Sequence, residues 1–523
     1  MMILQFPVQL RIACIVTLSL LFTVCKGQTI NKFFQIAEKN TYFNGVTRIG
    51  DQYLGVANYF DGSQDIIEII ELNDSASIIG TTQKNYNNAT NFIGINTLKL
   101  LNDSVFGMAY TFDSISVGLK GKFLLFNKNS KELKTITYDS PKKSGFDDFS
   151  LNEDGSLLLF GTSTQHDPNG DFYVVHVGKN GKLISDTTFG NTNLAERGYS
   201  ITTTSDGGYA FTGSRRVTVS GQPYRSKIVV YKFDSLGALE WTNQYGGDLL
   251  NFPYQIKSAS NGKIYIVGVG STVEITDDFF DNSPQIITLT MAGDMIWDTL
   301  LTLPPDSTNT FYQRGEASNI LFDSNNNGFI ISGYYYIFNE RLITPTNPGF
   351  IAWFDSSGNE VWRRYIYNDD FTQQNSSSVY KFYSIESTQN GGFLLGGTIE
   401  GKAPDPDGQY GWIVQTDSLG CVVPGCHLVG VPNPQGHIES NLLVFPNPSQ
   451  SNQNTWLSFN LPKTEAVAIA ILSLNGQIVK TQNFGLLPKG NHQIQMDLTL
   501  ASGIYFIKLQ THTFNETVKW VVE

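Results

Sequence analysis

Charge is scarce in this 523-residue chain: 16% of its residues are Asp, Glu, Lys or Arg, and 35 basic residues face 47 acidic ones. A formal net charge of −12, with no cluster of Lys and Arg, excludes a nucleic-acid surface, because phosphate binding needs concentrated positive charge. Histidine is nearly as sparse, with six residues scattered along the chain. No His-Glu-x-x-His pair, Gly-x-Ser-x-Gly elbow or complete phosphate loop occurs, so the chemistries that depend on them have no carrier. No cofactor and no metal site is expected. Asp323 to Gly328 alternates oxygen donors like the start of a calcium loop, but Tyr334 stands where such a loop needs a bidentate Glu, so it reads as a turn.

Amphipathic runs with a period of three to four residues are missing, which excludes a helical body. One long apolar run exists, Ile12 to Val24, preceded by Arg11 and followed by Cys25-Lys26-Gly27-Gln28. It is too short to span a bilayer comfortably and ends in small residues, so residues 1–27 read as a signal peptide and no transmembrane span is expected in the mature protein. Val24 argues against acylation of Cys25, since a lipoprotein signal places a small residue there. Of four cysteines, Cys14 and Cys25 leave with the signal. Cys421 and Cys426 flank Val422-Val423-Pro424-Gly425, and Pro-Gly turn chemistry in an oxidising compartment predicts a disulfide.

Glycine, asparagine and aromatic residues are plentiful, and they recur in order. Reversals at Gly50-Asp51, Asn102-Asp103, Asp154-Gly155, Asp206-Gly207, Asn261-Gly262, Asn327-Gly328 and Asn390-Gly391 lie about 51 to 66 residues apart, the length of a four-stranded blade. After the later ones come apolar strands ending in Gly: Ser156 to Gly161, Tyr209 to Gly213, Lys263 to Gly268, Phe329 to Gly333 and Phe393 to Gly397. A second reversal, Asp-Ser-x-Gly, recurs at Asp234, Asp355 and Asp417, with Asp and Gly where a type I turn favours them. Trp241, Trp297 and Trp362 follow in register as fillers between units. Units of this size bury their faces by stacking and lose their edges by closing, so residues 28–429 are expected to form an all-β, about seven-bladed β-propeller, with Lys32 to Ala37 sealing the ring.

The texture then changes to a Pro/Gly/Asn linker at 430–441, and residues 442–523 read as a small C-terminal β-sandwich. Its markers are Phe445-Pro446-Asn447-Pro448, the hairpin Asn475-Gly476, the Leu-x-x-Gly-x-Tyr pattern through Gly503 and Tyr505, and a closing strand with Lys519. On these residues the module resembles the type A sorting domain of the type IX secretion system, with Ser473 where that family commonly has Asp. The resemblance implies handling by the type IX machinery at the outer membrane, removal of the module within the linker, and a product that is secreted or held on the outer cell surface.

For the repeat region, no catalytic constellation emerges from motifs. The repeat position carries Asp147, Tyr199, Tyr254 and Tyr383, while Arg197, Arg314 and Glu316 nearby are unrepeated. Asp147, Arg197, Arg314 and Glu316 are therefore the candidate binding residues, for an extracellular glycan or protein ligand. A secreted hydrolase or lyase is the alternative, and Asp147, Asp148 and Glu316 gathered in a central funnel would favour it.

Overall fold

The computed structural model describes residues 30–34, 40–50, 52–60, 64–85, 89–92, 98–102, 104–114, 118–138, 144–164, 167–191, 194–217, 225–276, 279–302, 312–323, 328–338, 347–368, 378–402, 405–422, 442–450, 455–461, 464–473, 477–496, 500–511 and 515–522. Residues 1–27, expected to be a signal peptide, residues 430–441, expected to be a linker, Cys426, and Asn475 with Gly476 lie outside them, as does most of Asp323 to Gly328. Every regular element among the described residues is a β-strand, and no helix there is long and apolar enough to cross a membrane.

Seven antiparallel sheets follow one another between Ile30 and Thr416. Their innermost strands are Thr41–Ile49 in blade 1, Leu98–Asn102 in blade 2, Ser144–Leu151 in blade 3, Glu196–Thr203 in blade 4, Asn251–Ser258 in blade 5, Tyr312–Phe322 in blade 6 and Val379–Ser387 in blade 7. In blade 2 the short strand Ala89–Phe92 shares the inner position, pairing with the far end of Val105–Ser114. Second strands such as Leu157–Ser163 are buried almost throughout, as expected of strands covered on both faces.

The ring is closed by the N-terminus. Ile30–Phe34 pairs with the third strand of blade 7, Ile30 opposite Gln415 and Phe34 opposite Gly411, and so supplies that blade's outer strand. This segment starts two residues before the stretch expected from the sequence, and it ties the two ends of the ring together. One apolar cluster joins Ile30, Phe43 and Val46 to Leu394 and Ile413, so blade 1 packs on blade 7 as neighbours do elsewhere. Asn31 fastens the closure: its amide donates to Tyr367 O at 2.6 Å, and its Oδ1 accepts from Trp412 Nε1 at 2.8 Å and Asn368 Nδ2 at 3.1 Å.

Both families of reversals occupy equivalent corners. The Asp/Asn-Gly set falls in the chain between first and second strands in all seven blades, with Asp51, Asp103 and Asn327 outside the described residues. The Asp-Ser-x-Gly set follows third strands, where Asp234, Asp355 and Asp417 each accept two backbone N–H bonds and Gly237, Gly358 and Gly420 hold φ of 82°, 88° and 73°. The recurrent tryptophans pack on turns that follow third strands. Trp241, Trp297 and Trp362 lie on outer strands and press against the turn glycine of the next blade, Gly293, Gly358 and Gly420 respectively, at a distance that leaves no room for a methyl group.

Residues 442–522 form two further sheets, one of three strands and one of four. Val444, Leu457 and Phe459 from the first and Ile469, Ile471, Ile507, Leu509 and Trp520 from the second make one buried cluster, which is a sandwich core.

Candidate functional site

The inner strands share an irregularity. In blades 1, 3, 4, 5, 6 and 7 the register with the second strand slips by one residue, leaving Asn44, Asp147, Tyr199, Tyr254, Ser318 and Tyr383 unopposed. These are β-bulges, which bend a strand and re-aim a side chain. The glycine that ends the repeated apolar strand lies opposite each bulge in blades 3 to 7. A methyl on Gly161, Gly213, Gly268, Gly333 or Gly397 would come within 1.8–2.4 Å of the carbonyl oxygen two residues before the bulge. Glycine is required because the backbone itself fills the space of a Cβ.

Side chains on these strands meet around the axis. Lys257 of blade 5 interacts electrostatically with Glu386 of blade 7 and Lys99 of blade 2, a reach across non-adjacent blades that only a central channel allows. Near the end where inner strands begin, Asp147 lies 3.9 Å from Arg197, and the Arg197 guanidinium sits 5.3 Å from the Tyr199 ring. The Tyr199 and Tyr254 rings meet edge to face at 5.9 Å. Tyr254 and Tyr334 both lie within electrostatic reach of Glu316. Lys381 pairs with Glu400 at 2.8 Å and lies 5.2 Å from the Tyr334 ring. The result is an arc of alternating charge and aromatic face running through blades 3 to 7.

Burial in the channel wall pushes the Asp147 carboxyl up to about 6, against the pull of Arg197 and with a smaller push from Asp148. Tyr254, Tyr334 and Tyr383 are held well above the ordinary tyrosine range, first by burial and then by the negative charge of Glu316 or Glu400.

The four candidate residues are thus distributed unequally. Asp147 and Arg197 pair; Glu316 joins the arc through Tyr254 and Tyr334; Arg314 lies two residues before Glu316, half-buried and opposite Tyr336. Asp148 is turned away. It is 4% exposed and accepts from Lys99 Nζ at 2.6 Å, Ser200 Oγ at 2.7 Å and Ile201 N at 3.0 Å, which makes it a latch between blades and removes it from any carboxylate cluster. Gln255, at the same place in blade 5, accepts from Ile320 N of blade 6 in the same way. Lys381, Tyr334 and Glu400 were not anticipated from the sequence. Lys381 stands two residues before its bulge as Arg197 and Glu316 do, so the bulge register would have found it.

In the C-terminal sandwich the marker residues bond to one another. Asn447 donates to Lys519 O at 2.7 Å and accepts from Val521 N at 2.9 Å, Trp520 Nε1 donates to Ser449 Oγ at 2.7 Å, and Tyr505 donates to Ala501 O at 2.9 Å. The Phe-Pro-Asn-Pro segment is clamped to the closing strand.

Residues 443–523 match the family described as Secretion system C-terminal sorting domain. This is the type IX sorting module, and it marks a protein that is secreted or attached to the outer cell surface. No curated protein matches the sequence. Among solved structures, the chain is similar to the polysaccharide lyase Uly1 at 10% identity and a TM-score of 0.47, with 75% of this chain and 100% of that one covered. An ulvan lyase of family PL25 is similar at 10% identity and 0.47, covering 75% and 97%, and an α-L-arabinanase of Penicillium chrysogenum at 7% and 0.38, covering 58% and 92%. At such scores these likenesses assign no chemistry to this chain.

Proposed function

We propose that the ring binds an extracellular glycan across the channel mouth where its inner strands begin. The observation that carries this reading is the arc itself: half-buried tyrosines at three bulged positions, interleaved with Asp147, Arg197, Glu316 and Lys381 around the channel. Ring faces suit the apolar faces of sugars, while carboxylates and cations orient hydroxyls. In this reading residues 1–27 are removed at export, the ring unit spans 28–429, and the 442–523 module is recognised by the type IX machinery and cut off within 430–441. A Cys421–Cys426 disulfide would pin the end of blade 7, where Cys421 is fully buried.

One observation favours catalysis as a second reading. Asp147, with its carboxyl near 6 beside Arg197, is suited to proton transfer. Against it, Tyr254 and Tyr334 are kept protonated by burial and Glu316, the opposite of what a tyrosine base needs. The test is a glycan array probed with the exported protein, followed by calorimetry on the ligands found. Tyr199→Ala and Tyr254→Ala are each expected to weaken binding by about tenfold, as loss of a stacking ring in a pocket does. Unchanged affinity in both would overturn the binding reading, and shortening of the polymer by wild type but not by Asp147→Asn would establish the catalytic one.

A further inference from the structure

The opposite end of the channel, where inner strands run into their first turns, carries ionic side chains that the repeat does not call for. Three residues past the bulge, blades 1, 3, 4 and 6 present Thr47, Ser150, Thr202 and Leu321, neutral residues any blade could use. Blades 5 and 7 present Lys257 and Glu386 instead. Arg48 from blade 1 and Lys99 from blade 2 join them beside a cavity of about 470 Å³, walled by Thr47, Arg48, Gly50, Lys99, Leu100 and Glu386. That volume suits one sugar-sized body.

Charge at this mouth runs against the rest of the molecule. Arg48, Lys99 and Lys257 gather here with Glu386 and Asp148; Lys99 and Asp148 pair at 2.6 Å and cancel, which leaves Arg48 and Lys257 against Glu386. In a chain of net charge −12, a concave spot with excess positive charge focuses field on an arriving anion. Arg48 is held at the rim, its Nε donating to Gly50 O at 3.1 Å.

We propose that this second mouth binds a small anion, a carboxylate or sulfate ester carried on a sugar-sized body, with Arg48 as its cationic contact and Glu386 as the group that opposes it. Burial holds the Glu386 carboxyl at about 7 in spite of Lys257, Arg48 and a hydrogen bond with Thr47. The same burial lowers Lys257. Around neutrality Glu386 therefore sheds the charge that would repel the ligand.

Calorimetry on the exported protein with glucuronate, glucose 6-sulfate and glucose tests this. One or both anions are expected to bind and glucose is not, the preferred anion naming the group recognised. Arg48→Gln should weaken binding by about tenfold, the effect of losing a charge-assisted hydrogen bond. Leu100→Glu, at a rim position 39% exposed and so tolerant of change, should weaken it as well. Glu386→Gln should tighten binding by about threefold at pH 8, where the wild-type carboxylate is ionised, and hardly at pH 6. Glu316→Gln at the other mouth should leave it unchanged. Failure of both anions to bind, equal binding of glucose, wild-type affinity in Arg48→Gln and Leu100→Glu, or loss of binding in Glu316→Gln would each overturn the proposal.

Discussion

Single missing methyl groups decide where the channel side chains point. Each repeated strand-ending glycine lies under a carbonyl oxygen of the inner strand, and that approach makes the bulge that turns Asp147, Tyr199, Tyr254 or Tyr383 toward the axis. The glycines were legible in the sequence as strand ends. Their purpose was not, because the carbonyl they accommodate belongs to a paired strand some sixteen residues away. A cleaner test of local cost comes from the outer turns. Gly237 and Gly358 share nearly the same positive φ, 82° and 88°, but a methyl on Gly237 meets nothing while one on Gly358 meets Trp297 at 2.7 Å. Gly237→Ala should cost about 1–2 kcal/mol for the left-handed backbone alone, and Gly358→Ala about 1–3 kcal/mol more for displacing the ring. Denaturation midpoints with matched slopes would show this, and equal costs would refute the stacking account.

Asp147 makes a second prediction at this scale. Its folded value near 6 lies above the ordinary 3.8, so the stability it contributes is full below about 3.8 and is lost as pH rises through 6. Asp147→Asn should therefore gain on wild type by about 1–2 kcal/mol between pH 4 and 7, discounted for water in the channel. A constant difference across that range would mean that the carboxyl is not held up in the fold.

At the scale of elements, the reversals and the strands between them could be read directly, because turn chemistry is local and repeated. The partner of the N-terminal strand could not, since Ile30 and Gln415 meet only when the ring closes. The arc shows the same limit: Arg197 and Glu316 stood out as unrepeated charges, whereas Lys381 and Tyr334 gain meaning only from the strand register. Closure should depend on Asn31, which satisfies Trp412 Nε1, Asn368 and Tyr367 O together. Asn31→Ala leaves the indole N–H and the Tyr367 carbonyl without this partner and should destabilise the ring by about 2–3 kcal/mol. Hydrogen exchange should then rise first in Ile30–Phe34 and Asp405–Thr416. Uniform exchange with no local opening would contradict the latch.

The molecule as a whole divides its labour between its two ends. The sandwich carries the sorting module, with its Phe-Pro-Asn-Pro segment clamped by Asn447 and Trp520, and the proposed binding site of the ring lies in a channel built from residues that no contiguous motif contains. Propeller blades are legible because each must bury the same faces, while a site assembled from five blades leaves only isolated letters in the sequence. Hydrogen–deuterium exchange of the exported protein, with and without the tightest oligosaccharide found on the array, tests the central claim most directly. The account predicts protection at the beginnings of the inner strands of blades 3 to 7, around Asp147, Tyr199, Tyr254, Glu316 and Tyr383, with outer strands unchanged. Protection confined to outer strands or to the C-terminal sandwich would contradict it.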